Sequence, residues 1–388
     1  MATYLDHAAT TPMRPEAVEA MLPFLTERFG NPSGAHAVAR DARKALDEAR
    51  EQVAEHLGAR PAEVVFTAGG TEADNLAVLG AHADSGSSPA RVVCSAVEHH
   101  AVLHAAAATG TAVTIPVTAA GTVDLDALGD LLGPDVAVVA VMGVNNEVGT
   151  LQPVPAVAAL AAQRAPGAQV VCDAVQAFPW VDVVPLTADA GLVTVSAHKF
   201  GGPKGVGALV ARRGSRLRPI LHGGGQEHDR RSGTHNVAGI VAMAAAMAAT
   251  AAEREATVAR VGALRDRLVD GLVAAVPGCA ETGDRRVKVA GNAHVTFEGI
   301  EAESLLVLLD AEGVCASAAS ACASGAAEPS HVLAAMGLSP ARAAGALRLS
   351  LGATSTEADV AHALAVVPEA VARLRADPPE PGVPPGDR

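Results

Sequence analysis

The sequence predicts an α/β fold with a mixed or mostly parallel sheet, and three observations support this. Hydrophobic residues make up 49% of the 388 residues, enough for a large core, and charged residues make up 18%. Aromatic residues are only 2%, so that core must be built from Ala, Val and Leu. Alanine-rich runs of helical length alternate with short valine-rich runs, which is typical of helices that cover buried parallel strands.

The predicted elements alternate along the first two thirds of the chain. Helical patterns cover Arg14–Phe29, Ala37–Leu57, Thr71–Ala83, Val154–Arg164 and Val237–Leu272. Apolar runs of strand length lie at Glu63–Phe66, Arg91–Cys94, Val113–Val117, Val136–Met142, Gln169–Cys172, Leu192–Val195 and Gly207–Val210. Gly, Pro or Asp bounds these runs, as α/β units require.

The chain changes character after about residue 255. A charged helix, a strand-like run and a second helix are predicted at Glu253–Val276, Val287–Phe297 and Glu301–Glu312. The predicted division is a large domain over 13–258, a small α+β domain from 1–12 and 259–376, and a disordered tail over 377–388.

The net charge and the cysteine content argue against several classes of function for this protein. With 29 basic and 42 acidic residues the net charge is −13, which argues against nonspecific binding to nucleic acid or to an anionic membrane. The chain has five cysteines, an odd number, and none of them shows C-x-x-C spacing. We therefore expect neither a disulfide framework nor a zinc site, and we expect the protein to reside in a reducing cytoplasm. The apolar run Val237–Ala252 is short and weakly hydrophobic for a membrane span, which favours a buried helix.

Two segments carry polar groups where predicted strands end. Ala68–Asn75 follows a strand and opens a helix, so its backbone N–H groups could hold a phosphate, although a simple N-cap turn is the more frequent explanation for such a segment taken alone. The segment lacks a Walker lysine and a G-x-G-x-x-G pattern, which excludes a nucleoside triphosphate or dinucleotide site. Asp173 ends another buried strand, where it caps a turn or pairs with a cationic ligand atom.

Lys199 is the most informative residue, because it ends an apolar strand and precedes a glycine-rich loop. Lysine is rarely buried unless it is paired, and such a lysine can form a Schiff base. Ser196 and His198 flank it as candidate phosphate donors, whereas Lys204 is expected to be a solvated loop residue.

An acid at one strand end, followed by a lysine about one βα unit later, resembles the pattern of pyridoxal-phosphate enzymes. Several short sequence motifs resemble those of the cysteine desulfurases in the class V aminotransferase family, and the resemblance runs from residue 4 to about residue 375. They are Tyr4–Pro12, Phe29–Ser33, Glu98-His99, Asn145–Gly149, Ser196–Lys199, His222–Glu227, Arg231–Thr234, Ser320–Cys322 and Arg348–Gly352. This resemblance implies a fold type I homodimer with pyridoxal 5′-phosphate (PLP). The loop around Cys322 resembles the iron–sulfur-assembly subgroup.

The resemblance also implies a role for individual residues. Lys199 would bind PLP covalently, Asp173 would pair with its ring nitrogen, and His99 would stack on the ring and transfer protons. The other implied cofactor contacts are Gly70, Thr71, Ser196 and His198 for the phosphate, Thr234 for the neighbouring subunit's phosphate, and Asn146 and Gln176 for the phenolic oxygen or the substrate. Arg348 would bind the substrate carboxylate, with Asn31 at the same pocket edge.

The implied reaction converts L-cysteine to L-alanine. Cys322 would take the sulfur as a persulfide and pass it to an acceptor protein, for iron–sulfur assembly or for tRNA or cofactor thiolation. Composition does not choose between Cys322 and Cys315, but the family string Ser-Ala-Cys falls on Cys322. The alternatives are a selenocysteine lyase, another class V aminotransferase, or a non-catalytic sulfur-relay scaffold.

Overall fold

The computed structural model describes residues 2–86, 90–318 and 330–376. These residues form two compact units. The large unit comprises Ala9–Asn146 and Thr150–Thr257, and the small unit comprises the residues up to Ala8, Glu147–Gly149 and those from Val258 onward. The predicted tail and the residues around Cys322 lie outside the described residues.

The secondary structure alternates along the large unit, and the predicted α/β class is confirmed. The strands are β1 Thr3–Tyr4, β2 Val64–Thr67, β3 Arg91–Ser95, β4 Ala112–Ile115, β5 Val136–Ala140, β6 Gln169–Asp173, β7 Leu192–Ser196, β8 Gly207–Ala211, β9 Cys279–Glu281, β10 Asn292–Phe297, β11 Val314–Cys315 and β12 Ala346–Ser350. The helices are α1 Pro15–Thr26, α2 Ala37–His56, α3 Gly70–Ala83, α4 His100–Ala108, α5 Leu125–Leu131, α6 Val154–Arg164, α7 Val183–Leu186, α8 Val237–Ala275, α9 Ala302–Ala311, α10 His331–Ala335, α11 Pro340–Ala344 and α12 Glu357–Ala376.

A seven-stranded sheet organises the large unit, in the order β2-β8-β7-β6-β5-β3-β4. Strand β8 is antiparallel to both of its neighbours, and the other pairs are parallel, so the sheet is mixed and mostly parallel. Its central strands are Val- and Ala-rich and almost fully buried, as expected for a sheet covered on both faces. The edge strand β4 is largely solvent-exposed.

Helix α3 covers this sheet with an alanine- and leucine-rich face. Leu76, Ala77 and Val78 are fully buried in the core cluster that includes Val92 and Leu209 of the strands. Because α3 begins at Gly70, directly after β2 and a short turn, its N-terminus lies at the edge where that strand ends. The packing of α3 therefore fixes the direction of its free N–H groups.

Helix α8 is one continuous helix of 39 residues, which spans both the helix predicted at Val237–Leu272 and the charged helix predicted at Glu253–Val276. Among the described residues it is the one helix long and apolar enough to cross a membrane by length and composition. However, 56% of its most apolar window is buried, and Met243 and Met247 have no exposed surface. Burial of this extent is typical of a helix in the core of a protein.

The small unit contains a three-stranded antiparallel sheet, β12-β10-β9, and a parallel pair, β1-β11. One face of β10 and β12 is apolar and includes Val295, Phe297 and Leu347. The opposite face carries His294 directly beside Arg348, and both are buried. The alternation along each strand thus gives this sheet a polar inner surface.

Candidate active site

Three strands of the large unit end at one edge of the sheet and bring the predicted residues there. Strand β6 ends at Asp173, β7 ends at Ser196, and β2 ends just before Gly69. These strands point the same way, because β2 and β7 are both antiparallel to the intervening β8 and β6 is parallel to β7. Ligands of open α/β sheets bind at such carboxyl ends.

A cavity of about 830 Å³ opens at this edge, around the start of α3. Its lining includes Gly69, Gly70, Thr71, Glu72, Ser196, His198 and Lys204. Gly69 has a φ of +152°, and a Cβ on Gly70 would lie 3.0 Å from Val175 and 3.4 Å from the Cβ of Ser196. Free N–H groups, hydroxyls and a lysine around a space that glycine keeps open fit a phosphate group.

His198 is fixed beside this cavity by the N-terminal segment of the large unit. Its Nδ1 lies 3.1 Å from the Thr10 hydroxyl, and its carbonyl accepts a hydrogen bond from the Thr11 hydroxyl at 2.9 Å. Burial, followed by the charges of Lys199 and Lys204, lowers the pKa of His198 to about 4. His198 is therefore a neutral hydrogen-bonding group at pH 7.

Asp173 is a buried carboxyl, 6% exposed, at the end of β6. Its Oδ1 accepts a hydrogen bond from the Val175 N–H at 2.9 Å. Burial raises the pKa of Asp173 to about 6, although the Val175 N–H and the charge of Lys199 act in the opposite direction. A cationic ligand atom beside Asp173 would favour its charged form, so the site suits a protonated ring nitrogen.

Lys199 is half-buried in a short 3₁₀ turn, and its Nζ donates to the Ala9 carbonyl at 2.9 Å. Burial is the largest cause of the shifted pKa values of the neighbouring Asp173, His99 and His198. The positive charge of Lys199 is a smaller cause, and it lowers the pKa of all three. The amine thus lies within electrostatic reach of all three groups.

His99 is held in one orientation at the start of α4. Its Nδ1 accepts a hydrogen bond from the Ala101 N–H at 3.1 Å, so the side chain caps the helix. Burial, with the charges of Lys199, His100 and His104, lowers the pKa of His99 to about 4. The neutral ring therefore carries its proton on Nε2, because Nδ1 is the acceptor.

The remaining predicted residues are more dispersed. Gln176 is buried and Asn146 is half-buried, whereas Asn31 and Thr234 are exposed, and none of these four lines the cavity. Arg348 belongs to the small unit, where its Nη2 donates to Asp6 at 2.8 Å. Cys322 lies outside the described residues.

The sequence reasoning did not identify a buried ion pair that contacts β2. Glu227 is 5% exposed and accepts hydrogen bonds from Arg50 at 2.6 and 2.8 Å and from the Phe66 N–H at 2.9 Å, and His235 lies 2.6 Å away. The backbone of Glu227, His228 and Asp229 is left-handed, with φ of 51°, 57° and 63°. Non-glycine residues rarely adopt this conformation, so the ion pair holds a strained segment.

Replacing Glu227 with Gln is expected to lower the free energy of unfolding by about 3–5 kcal/mol, because it leaves the Arg50 guanidinium buried without its counter-charge. Burial raises the pKa of Glu227, but hydrogen bonds from Arg50 and His235 outweigh burial and lower it to about 2. The stabilisation is therefore complete above the ordinary pKa of about 4.3 and disappears as the pH falls towards 2. Denaturant unfolding at several pH values measures both effects.

Asp41→Asn is the matched control for Glu227→Gln, because Asp41 forms an exposed two-pronged pair with Arg28. Its unfolding curve should barely change. Equal stability of the Glu227 variant and the wild type would show that the buried pair contributes nothing.

Comparison with known proteins agrees with this geometry. A sequence model of the aminotransferase class-V family matches residues 3–362. An IscS-like cysteine desulfurase of Mycobacterium tuberculosis is 50% identical over 96% of this chain and 97% of the relative. The chain belongs to the class V aminotransferases and, within them, to the cysteine desulfurases.

Other cysteine desulfurases support the same assignment. The cysteine desulfurase IscS of Methanosarcina thermophila is 44% identical over 96% of this chain and 93% of the relative. A solved structure described as a NifS-like protein superposes with a TM-score of 0.90 at 34% identity, over 96% of this chain and 100% of that one. The predicted family and fold type are confirmed, and this cysteine desulfurase is a PLP-dependent enzyme.

Proposed function

We propose that this cysteine desulfurase converts L-cysteine to L-alanine and carries the sulfur as a persulfide on Cys322. The observation that carries this proposal is the group of sites at one sheet edge of the large unit. The cavity at the start of α3, a buried carboxyl at Asp173 and the amine of Lys199 lie there together. The names of its curated relatives support the choice of substrate.

The large unit supplies the groups that would hold PLP. The phosphate would be bound by the α3 N-terminus at Gly70 and Thr71, with Ser196 and His198 beside it. Asp173 would hold the protonated ring nitrogen. The other proposed contacts are His99 on the ring face, Asn146 and Gln176 at the phenolic oxygen or the substrate, and Thr234 at the phosphate of a neighbouring subunit. When bound, the cofactor supplies an electron-withdrawing ring that acidifies the Cα proton of the substrate.

The side chains then move protons and sulfur. Lys199 would hold the cofactor covalently, and its amine would remove the Cα proton of the substrate. Arg348 binds the substrate carboxylate through its guanidinium, with Asn31 at the same pocket edge. His99 offers its Nε2 proton, because Nδ1 is engaged at the α4 N-terminus. The Cys322 thiolate would attack the substrate sulfur, so that an S–S bond forms and the C–S bond breaks with its electron pair left on the substrate carbons. Cβ then takes a proton to become the methyl group, and a proton is returned to Cα to give alanine.

The proposed setting is a cytoplasmic homodimer that passes its sulfur to an acceptor protein. The acceptor would serve iron–sulfur cluster assembly or the thiolation of tRNA or a cofactor. Direct contact with nucleic acid or a membrane is not part of the proposal, since the net charge of −13 disfavours both.

The deciding experiment follows sulfide and alanine release from L-cysteine under a reductant, for the wild type and Cys322→Ser. We expect both products from the wild type and neither from the variant. Cys315→Ser is the matched control, because Cys315 is fixed in β11 beside Tyr4, and it should retain both products. Undiminished release by the Cys322 variant would contradict the assignment, and preference for selenocysteine would identify a selenocysteine lyase instead.

A further inference from the structure

Glu72 is an unexpected residue in the wall of a phosphate cavity. It follows Thr71 in the first turn of α3 and lines the same space as Gly69, Gly70 and Ser196. A carboxylate in this position repels an incoming phosphate unless its charge is compensated. The chain must therefore compensate this charge or bind the anion weakly.

Arg231 provides the compensation from a distant part of the chain. Its Nε lies 2.7 Å from Oε1 of Glu72 and its Nη2 lies 3.1 Å from Oε2, a two-pronged pair between residues 159 positions apart. The side chains are only 20% and 16% exposed, so water screens the pair weakly. The same Oε2 also accepts the Ala68 N–H at 2.8 Å, which fixes the turn before Gly69.

The segment that carries Arg231 is itself held firmly. Glu227, four residues earlier, belongs to the buried ion pair described above, and one of its hydrogen bonds comes from the Phe66 N–H. The connection from β2 to α3 is thus held at two points. Glu227 accepts a hydrogen bond from the Phe66 N–H in β2, and Arg231 pairs with Glu72, whose Oε2 accepts the Ala68 N–H. The segment from Glu227 to Arg231 thus contacts β2 directly through Glu227 and reaches the turn before Gly69 through Glu72.

We propose that Arg231 is a positioning residue for the phosphate group of the cofactor. Through its pair with Glu72 it fixes the turn that presents the α3 N–H groups, and it offsets the negative charge nearest the bound anion. Arg231 acts through Glu72 and takes no part in the chemistry. The inference rests on the assignment of this cavity to the cofactor phosphate under the proposed function.

The test measures binding of PLP and of inorganic phosphate to the cofactor-free protein, by absorbance and calorimetric titration. Arg231→Gln should weaken PLP binding about tenfold or more, because the uncompensated Glu72 then faces the phosphate. Glu72→Gln alone should bind PLP at least as tightly as the wild type. The double variant Glu72→Gln/Arg231→Gln should recover most of the affinity, since the repulsive charge is gone.

Arg28→Gln is the matched control, because it removes an equally two-pronged arginine pair on the surface, and its PLP affinity should equal that of the wild type. Unchanged affinity of Arg231→Gln would overturn the proposal, as would a double variant no better than Arg231→Gln. If Arg231→Gln fails to fold, Arg231→Lys replaces it, and we expect an intermediate loss of PLP affinity. An unchanged affinity of Arg231→Lys would then contradict the proposal.

The inference and the proposed function can fail separately. A wild-type protein that binds PLP but releases no alanine from L-cysteine contradicts the proposed function, and the affinity series still decides the role of Arg231. A wild-type protein that releases alanine while Arg231→Gln binds PLP normally contradicts only the inference.

Discussion

Replacing Lys199 with Ala should lower alanine formation by about 10⁴-fold, the upper end of the range for a positioned proton-transfer group. The amine is proposed both to bind the cofactor and to remove the Cα proton, whereas Lys204, which also lies between β7 and β8 and lines the cavity, is exposed. Reduction of the PLP-loaded protein with borohydride followed by mass spectrometry should show cofactor attached to the wild type and none attached to the variant.

Lys44→Ala is the control for this experiment, because Lys44 lies on the surface of α2 with its side chain 73% exposed. It should retain both the attached cofactor and the activity. Cofactor that remains covalently attached in Lys199→Ala would show that another lysine forms the bond, and the site would have to be reassigned.

Replacing Asp173 with Asn should lower the rate of alanine formation by about 10²–10³-fold, the loss typical of removing one preorganised electrostatic group. A neutral amide cannot hold a protonated ring nitrogen, although it can still accept the Val175 N–H as Asp173 does at 2.9 Å. Steady-state assays on PLP-loaded protein measure this loss. Asp182→Asn is a matched control. Like Asp173, Asp182 accepts a hydrogen bond from the backbone N–H two residues ahead, at 3.0 Å, but Asp182 is exposed.

The same variant should change the pH dependence of stability in the cofactor-free protein. Burial raises the pKa of Asp173 to about 6, so ionising this carboxyl lowers the free energy of unfolding as the pH rises from the ordinary pKa of about 4 through 6. Asp173→Asn removes that loss, and its unfolding free energy should fall less over this range. Parallel pH curves for the two proteins would show that the pKa of Asp173 is the same in the folded and unfolded states, which would contradict this prediction.

Residues at strand ends were predictable because their pattern is local. The apolar runs before Asp173 and Lys199 are long enough to indicate buried strands, and parallel strands bring their carboxyl ends to one edge. The resemblance to a family then suggested which polar residues at that edge act on a cofactor.

Long-range pairs were not predictable in this way. Nothing local shows that Glu72 pairs with Arg231, or that Glu227 accepts hydrogen bonds from Arg50 and the Phe66 N–H, because each contact depends on tertiary structure. The string from Arg231 to Thr234 was noted only as part of the resemblance. The two overlapping helices predicted at Val237–Leu272 and Glu253–Val276 are one helix, α8, whose change from apolar to charged residues follows a change in exposure rather than an end of the helix.

The order of the sheet has a consequence for synthesis on the ribosome. Strand β2 emerges at Val64–Thr67, but its hydrogen-bonding neighbour β8 is made only at Gly207–Ala211. At about 5–20 residues per second, β2 waits on the order of ten seconds for that partner. Until then its Val-Val-Phe-Thr backbone is an unpaired strand open to aggregation, and the turn at Gly69 has no fixed position. The proposed phosphate site is therefore complete only after β8 has been made, late in synthesis.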